Sequence, residues 1–332
     1  MRGAADAGGG RSDAAATVLV IGARDADDLP RVPAVPGVAW RFAREDEALV
    51  AALPEADVVF AWRQPQALER HWRLARRLRW LQAATAGAER SLFPAIVESD
   101  VVVTTSAGVF DRGMAEYAFA LLLYLAKDVR MTVDLQRQRD WRHRTVRGLE
   151  GMRLLVVGAG PIGRAVARLG AAFGMFVTVA ARTTRDDREL GRIHAATELP
   201  ELMAGADAVV LVLPHTAETR GLVGHEALAH ADSALLVNVG RGSTLDLDGV
   251  IEALDEGRLA GAALDVFPDE PLPPDSPLWL RHDVLVSPHI GGDVEGFEAR
   301  LVDAFEANLR RHLAGEPLEH VVDKGLGYPP SH

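Results

Sequence analysis

From Thr17 onward the chain alternates short apolar runs with stretches of helical periodicity. "TVLVIG" (17–22), "ADVVFAW" (56–62), "LRWLQAA" (78–84) and "DVVVTTS" (100–106) are apolar or β-branched and bounded by turn residues, which predicts strands. Helical patterns over 46–53 and 66–77 separate them. A long helix is expected from Arg112 to about Arg139. A second alternating block follows, with strands expected at "RLLVVG" (153–158), "FVTVAA" (176–181), "ADAVVLVLP" (206–214), "SALLVNVG" (233–240), "LAGAALDVF" (259–267) and "DVLVSPH" (283–289). The tail over 294–313 reads as one amphipathic helix. Such alternation predicts parallel sheets with crossover helices. The fold class expected is therefore α/β, as two doubly wound domains, Rossmann-like or flavodoxin-like.

Composition narrows the classes. The 332 residues suffice for two domains, and 48% hydrophobic with 25% charged residues can bury real cores. A net charge of -11 argues against nucleic acid and against anionic membrane surfaces as partners. The chain has no cysteine, which removes disulfides, thiolate metal sites and a cysteine nucleophile, and fits a reducing, cytoplasmic setting. No His-x-x-x-His or carboxylate cluster suggests a metal. The opening 17 residues lack the apolar run of a signal peptide and read as a disordered lead-in. The longest apolar run, 114–126, is too short to span a bilayer and contains Glu116.

The chemistry starts at "LLVVGAGPIGRAVARLG" (154–170). Gly158, Gly160 and Gly163 form G-x-G-x-x-G between a strand and a helix. The first permits the tight turn, the second lets backbone approach a pyrophosphate, and the third allows close helix packing. Pro161 and Ile162 open a helix whose N-terminus offers N–H groups to the phosphates. An NAD site would place an acid at the end of the second strand. Here that position reads "AARTTR" (180–185), where Arg182, Thr183 and Arg185 suit a 2′-phosphate; NADP is expected over NAD. Three further stretches end apolar strands in polar groups: "NVGRGSTLD" (238–246), "AALDVFPDEPL" (262–272) and "VSPHIGG" (286–292).

Together these motifs, in this order, resemble the D-isomer-specific 2-hydroxyacid dehydrogenases, of the glyoxylate/hydroxypyruvate reductase kind, over nearly the whole chain. The resemblance implies a nicotinamide-dependent oxidoreductase that reduces a small 2-oxo acid to the D-2-hydroxy acid. Arg241 falls on the family's arginine, which grips the substrate carboxylate. His289 falls on its acid/base, and Glu270 on the carboxylate that orients that imidazole. Asp265 resembles the family's acid near the nicotinamide amide, and otherwise reads as a turn former at a strand end. Leu213, Pro214, Val239, Gly240, Arg241, His289, Gly291 and Gly292 complete the expected cofactor surface. In "QAATAGAE" (82–89), Thr85, Ala86 and Gly87 either offer backbone N–H groups to the substrate carboxylate or make a tight βα turn. Arg63 either reaches substrate from the first block or, the preferred reading, is a solvated loop residue. Trp141 either caps a neighbouring subunit's site or packs the helix end.

The resemblance also implies a discontinuous substrate domain, 1–107 and 291–332, around an inserted dinucleotide domain, 108–290, with the active site between them. It further implies a homodimer joined through the cofactor domain. Two other functions use the same residues: a dinucleotide-sensing corepressor or scaffold, and oxidation of 3-phosphoglycerate. Formate oxidation pairs the histidine with glutamine, and Glu270 argues against it.

Overall fold

The computed structural model describes residues 16–330. Most of the expected disordered lead-in, 1–15, lies outside the described residues; Ala16 and Thr17 already belong to the first strand. In chain order the elements are β1 (Ala16–Ile21), β2 (Val38–Ala43), α1 (Asp46–Ala52), β3 (Val58–Ala61), α2 (Ala67–Arg70), β4 (Trp80–Ala83), α3 (Pro94–Val97) and β5 (Val102–Thr104). Then come α4 (Asp111–Ala126), α5 (Val129–Gln138), β6 (Arg153–Val157), α6 (Pro161–Ala172), β7 (Phe176–Ala181), β8 (Arg185–Asp187), β9 (Gly191–Ala195) and α7 (Leu199–Ala204). The chain continues through β10 (Ala208–Leu211), α8 (His225–Leu228), β11 (Ala234–Asn238), α9 (Leu247–Asp255), β12 (Leu259–Leu264), β13 (Val284–Val286) and α10 (Phe297–Ala314).

The chain divides into two units: one reaches to Ser106 and resumes over Glu298–Pro330, and the other is Ala107–Phe297. In the first unit the sheet is all parallel, in the order β2-β1-β3-β4-β5. This is a doubly wound order of the flavodoxin type. What draws the C-terminal helix back to this unit is aromatic. Phe305 of α10 is fully buried, stacked on Phe60 at 4.2 Å and on Trp80 at 5.3 Å. Below it the Asn308 Nδ2 donates to Gln82 Oε1 at 3.0 Å.

The second unit carries an eight-stranded sheet, β13-β12-β11-β10-β6-β7-β9-β8, parallel except for β8 against β9. β10 and β11 are buried along their whole length, as strands covered by helices on both faces must be. The strand order reverses between β6 and β10, the position where doubly wound sheets open a crevice at their carboxyl ends. Two apolar clusters fill this unit. One includes Leu155, Val209 and Leu236, and the other packs α4 through Phe119 and Leu122 against Val156 and Val237.

Three expectations need correction. The long helix is broken in two: Asp128 adopts the left-handed region (φ 47°) and its carboxylate caps α5 by accepting the Met131 N–H. The second block has more than the six expected strands, since β8 and β9 stand between β7 and β10 in the chain. The return to the first unit falls at Glu298 rather than 291. Residues 291–297 pack instead on α4: a Cβ on Gly113 would meet Val294 Cγ1 at 2.8 Å, and Phe297 lies against Phe110.

Candidate active site

The glycine turn joins β6 to α6. Gly158 sits at φ +123°, a conformation that side chains disfavour, and its N–H donates to Ala180 O on β7. A Cβ on Gly163 would lie 1.8 Å from Gly158 O, so only glycine lets α6 approach the turn this closely. Gly160 is different: a Cβ there would meet nothing within 4 Å. Gly160 also starts α6 without a side-chain cap, and Pro161 holds its first position. The first-turn N–H groups of a twelve-residue helix thus open beside a bare backbone, a cradle that fits a pyrophosphate. Across the crevice a Cβ on Gly240 would strike Leu213 N and O at 2.7 Å, so the turns after β10 and β11 are pressed together. The Leu213 and Val239 side chains are buried in the core, which leaves their backbones, with Pro214 and half-buried Ile162, for a ligand.

After β7 the expected basic edge is present. Arg182, Thr183 and Arg185 are exposed. Thr184 is tied down, its hydroxyl donating to Glu198 Oε1 at 3.0 Å. His194, the Ala195 N–H and that hydroxyl together hold the Glu198 carboxyl down at about 2. Half-buried Asp187, the second acid after this edge, is spoken for. The Arg164 guanidinium grips it at 2.9 Å, and with the Leu190 and Glu189 N–H groups holds it far below the usual carboxylate range. Asp187 is therefore satisfied without a ribose hydroxyl.

The polar groups after β11, β12 and β13 come together in the same unit. Asn238 shapes the turn that carries Arg241: its Oδ1 accepts the Gly240 N–H at 3.0 Å and its Nδ2 donates to Arg241 O at 3.2 Å. Arg241 itself is half-buried. Glu270 is fixed through both oxygens. Oε1 accepts the Phe267 N–H at 3.0 Å, and Oε2 lies 2.8 Å from His289 Nδ1. With Nδ1 turned to Glu270, Nε2 is the nitrogen left to meet a substrate. His289 stands at φ +56°, an uncommon conformation for a residue with a side chain.

Asp265 follows the last residue of β12. It is wholly buried, and its oxygens are engaged within the protein. Oδ1 accepts from Ser287 Oγ at 2.5 Å and from the Ile290 N–H at 3.0 Å, and Oδ2 accepts the Gly291 N–H at 2.9 Å. Gly291 and Gly292 are small because a Cβ on them would meet Asp265 Oδ2, Tyr117 Cδ1 and Phe110 Cδ1 at 2.8–3.0 Å. Sequence reasoning missed Asn238, Ser287 and Tyr117. The first two lie within motifs already singled out, but Tyr117 sits on α4, far away in the chain. Trp141 is fully exposed, so it does not pack the helix end. In the first unit, the Thr85 hydroxyl donates to Gly87 O at 2.6 Å inside the loop after β4, and Arg63 pairs with Glu298 at 3.2 Å. Among the described residues, no group of three or more His, Asp or Glu could hold a metal ion. No described helix is long and apolar enough to cross a membrane.

Residues 119–291 match the family model described as D-isomer specific 2-hydroxyacid dehydrogenase, NAD binding domain. The chain belongs to that family. This dehydrogenase is an oxidoreductase built to use a nicotinamide dinucleotide. It is 32% identical to glyoxylate/hydroxypyruvate reductase A of Serratia proteamaculans, over 82% of this chain and 88% of the relative. It superimposes with TM-score 0.82 on a D-isomer specific 2-hydroxyacid dehydrogenase from Xanthobacter autotrophicus Py2 solved with NADPH and MES, at 32% identity, covering 94% of this chain and 99% of that one. An NADPH-dependent glyoxylate/hydroxypyruvate reductase from Sinorhizobium meliloti, solved with NADP and sulfate, gives TM-score 0.80 at 25% identity, covering 94% and 100%.

Proposed function

We propose that the dehydrogenase reduces a small 2-oxo acid, such as glyoxylate or hydroxypyruvate, to the D-2-hydroxy acid and prefers NADP(H). The observation that carries the reading is the Glu270–His289 pair, 2.8 Å long, on the segments that follow adjacent strands β12 and β13 of the sheet that also carries the glycine turn. Gly158, Gly160, Gly163 and the first turn of α6 would hold the pyrophosphate, and Arg182, Thr183 and Arg185 a 2′-phosphate. The bound nicotinamide supplies the hydride to the carbonyl carbon. Arg241 grips the carboxylate with its planar fork and polarises the carbonyl. His289 gives the Nε2 proton to the carbonyl oxygen, which becomes the hydroxyl. Glu270 accepts from Nδ1–H throughout, so the imidazolium that donates and the imidazole that remains keep one orientation. In oxidation His289 takes the same proton back. Thr85, Ala86 and Gly87 add backbone donors to the carboxylate.

The NADP preference is supported by the exposed arginines and by the engagement of half-buried Asp187 with Arg164, which leaves that carboxylate satisfied without a ribose hydroxyl. The homodimer is supported by Trp141 and by Val129, Met131 and Val133, all exposed on one stretch of the second unit. The deciding experiment is initial-rate kinetics on a panel of 2-oxo acids with NADPH and NADH. Turnover of glyoxylate or hydroxypyruvate with a 10-fold or greater preference for NADPH is expected. No turnover of any 2-oxo acid overturns the reading, and a preference for NADH overturns its cofactor half.

A further inference from the structure

We propose that Tyr117 is a positioning residue for the acid/base histidine, acting through a buried hydroxyl chain that ends on the turn carrying His289. The inference rests on His289 being the proton donor.

The chain of contacts is continuous. Tyr117 Oη lies 2.6 Å from Ser287 Oγ, and Ser287 Oγ lies 2.5 Å from Asp265 Oδ1. A carboxylate can only accept, so Ser287 spends its one proton on Asp265. The Tyr117–Ser287 bond then has a single possible direction, with the phenol donating to Ser287 Oγ. Each donor in the row is polarised by the next, and the negative end is Asp265. Asp265 is fully buried and Ser287 nearly so.

At its far end Asp265 collects two successive N–H groups, those of Ile290 and Gly291. Successive N–H groups point at one anion when the residue before them takes a left-handed conformation. That residue is His289, at φ +56°. The strained backbone of the acid/base residue is therefore held by the carboxylate that Tyr117 supports. The tyrosine ring also packs this turn: a Cβ on Gly291 would come within 3.0 Å of Tyr117 Cδ1. Nothing in this arrangement brings Tyr117 to a reacting atom. Its effect is to keep the His289 turn wound, so that Nδ1 faces Glu270 and Nε2 faces substrate.

The first test uses the cofactor-free protein. In Tyr117→Phe, amide hydrogen exchange at Ile290 and Gly291 should speed up about fivefold or more, the scale of one lost hydrogen bond, with β12 unaffected. The second reads turnover of glyoxylate with NADPH. Tyr117→Phe should lower kcat about fivefold with both KM values within about twofold, and Ser287→Ala should lower it at least as far. The double variant should be no worse than Ser287→Ala alone, because both substitutions cut one chain. Unchanged exchange at Ile290 and Gly291, or additive losses in the double variant, overturns the proposal. A separate His289→Asn variant tests the underlying reading. Wild-type kcat in that variant removes the proton-donor role, whereas unchanged exchange in Tyr117→Phe removes the anchor.

Discussion

Two glycines three residues apart, Gly160 and Gly163, should fail in different ways. In Gly163→Ala the new methyl would stand 1.8 Å from Gly158 O and 2.9 Å from Gly158 C. Ordinary contact begins near 3.4 Å, and the obstacle is backbone, not the swinging end of a side chain. Helix α6 must therefore move away from the turn by more than an ångström. Alanine gains about 1 kcal/mol over glycine inside a helix. Overpacking of this depth costs about 3 kcal/mol, the upper end of such changes, so the overlap wins by about 2 kcal/mol. For a unit of this size that is a fall in Tm of about 4–8 °C. The affinity for NADPH should fall with it, because the displaced helix carries the N–H groups of the cradle.

In Gly160→Ala the methyl meets no protein atom. The backbone there, φ -73° and ψ -176°, is open to any residue. Alanine is the poorer N-cap but restricts the unfolded chain, and the two effects offset to within about 1 kcal/mol. Tm should stay put. The methyl instead occupies the space where a pyrophosphate lies on bare backbone, so NADPH binding should weaken by at least about 10-fold, or 1.4 kcal/mol. Thermal melts without ligand and fluorescence titration with NADPH separate the two variants. A wild-type Tm for Gly163→Ala would refute the tight helix approach. Undiminished NADPH affinity in Gly160→Ala would show that the turn is an ordinary strand–helix connection.

Other outcomes follow from the same geometry. Arg241→Lys keeps the charge but loses the planar fork, and kcat/KM for glyoxylate should fall by about 2–4 kcal/mol in transition-state stabilisation; near-wild-type kinetics would exclude the role. His289→Asn should lower kcat by about 10²-fold or more while NADPH titrates as in the wild type. Arg182→Ala should cost NADPH about 10- to 100-fold in kcat/KM and NADH little, from one or two charge-assisted hydrogen bonds weakened by exposure; equal losses would make the arginine a mere surface residue. Burial beside Trp80 holds His312 below its ordinary value of 6.5, against the opposing pull of Asp57. The unfolded chain then binds the proton more readily, so stability is present above pH 6.5 and declines as pH falls below it; His312→Gln should flatten the change in Tm between pH 7.5 and 5.5.

Strands were legible where both faces are buried. β3 and β10 are apolar throughout, and β11 up to its last residue, Asn238, so no periodicity has to be weighed. Three strands at or beside an edge were not: β2 ("VAWRFA") exposes Arg41, β8 ("RDD") is polar, and β9 ("GRIHA"), between β7 and β8, buries only Ile193. The helix break at Asp128 was invisible, since an apolar pattern does not report a left-handed residue. In the site, the glycine turn could be read locally, each glycine having a reason within six residues. The Glu270–His289 pair could not: 19 residues separate the partners, and only the family resemblance paired them before the 2.8 Å contact did. For Asp265 the resemblance implies an acid near the nicotinamide amide, and its place at a strand end a turn former. Its partners are a hydroxyl and two backbone N–H groups, and the letters of a sequence do not show N–H groups.

The same point explains why His289 can tolerate its strain. A left-handed residue costs of order 1–3 kcal/mol and persists only where its surroundings over-determine it. At His289 they do so from both sides. Asp265 captures the two N–H groups that follow, and Glu270 captures the Nδ1 of the side chain. Each carboxylate is itself held by another donor, Ser287 for Asp265 and the Phe267 N–H for Glu270. Those donors sit at the ends of β12 and β13, adjacent strands whose parallel register, Leu264 beside Val286, sets the spacing of the two turns. The geometry of the Glu270–His289 pair is thus fixed by sheet register first and by hydrogen bonds second. Substitutions that leave the register intact should tune the rate, whereas one that slips β13 against β12 should separate Glu270 from His289 and end the pair's function outright.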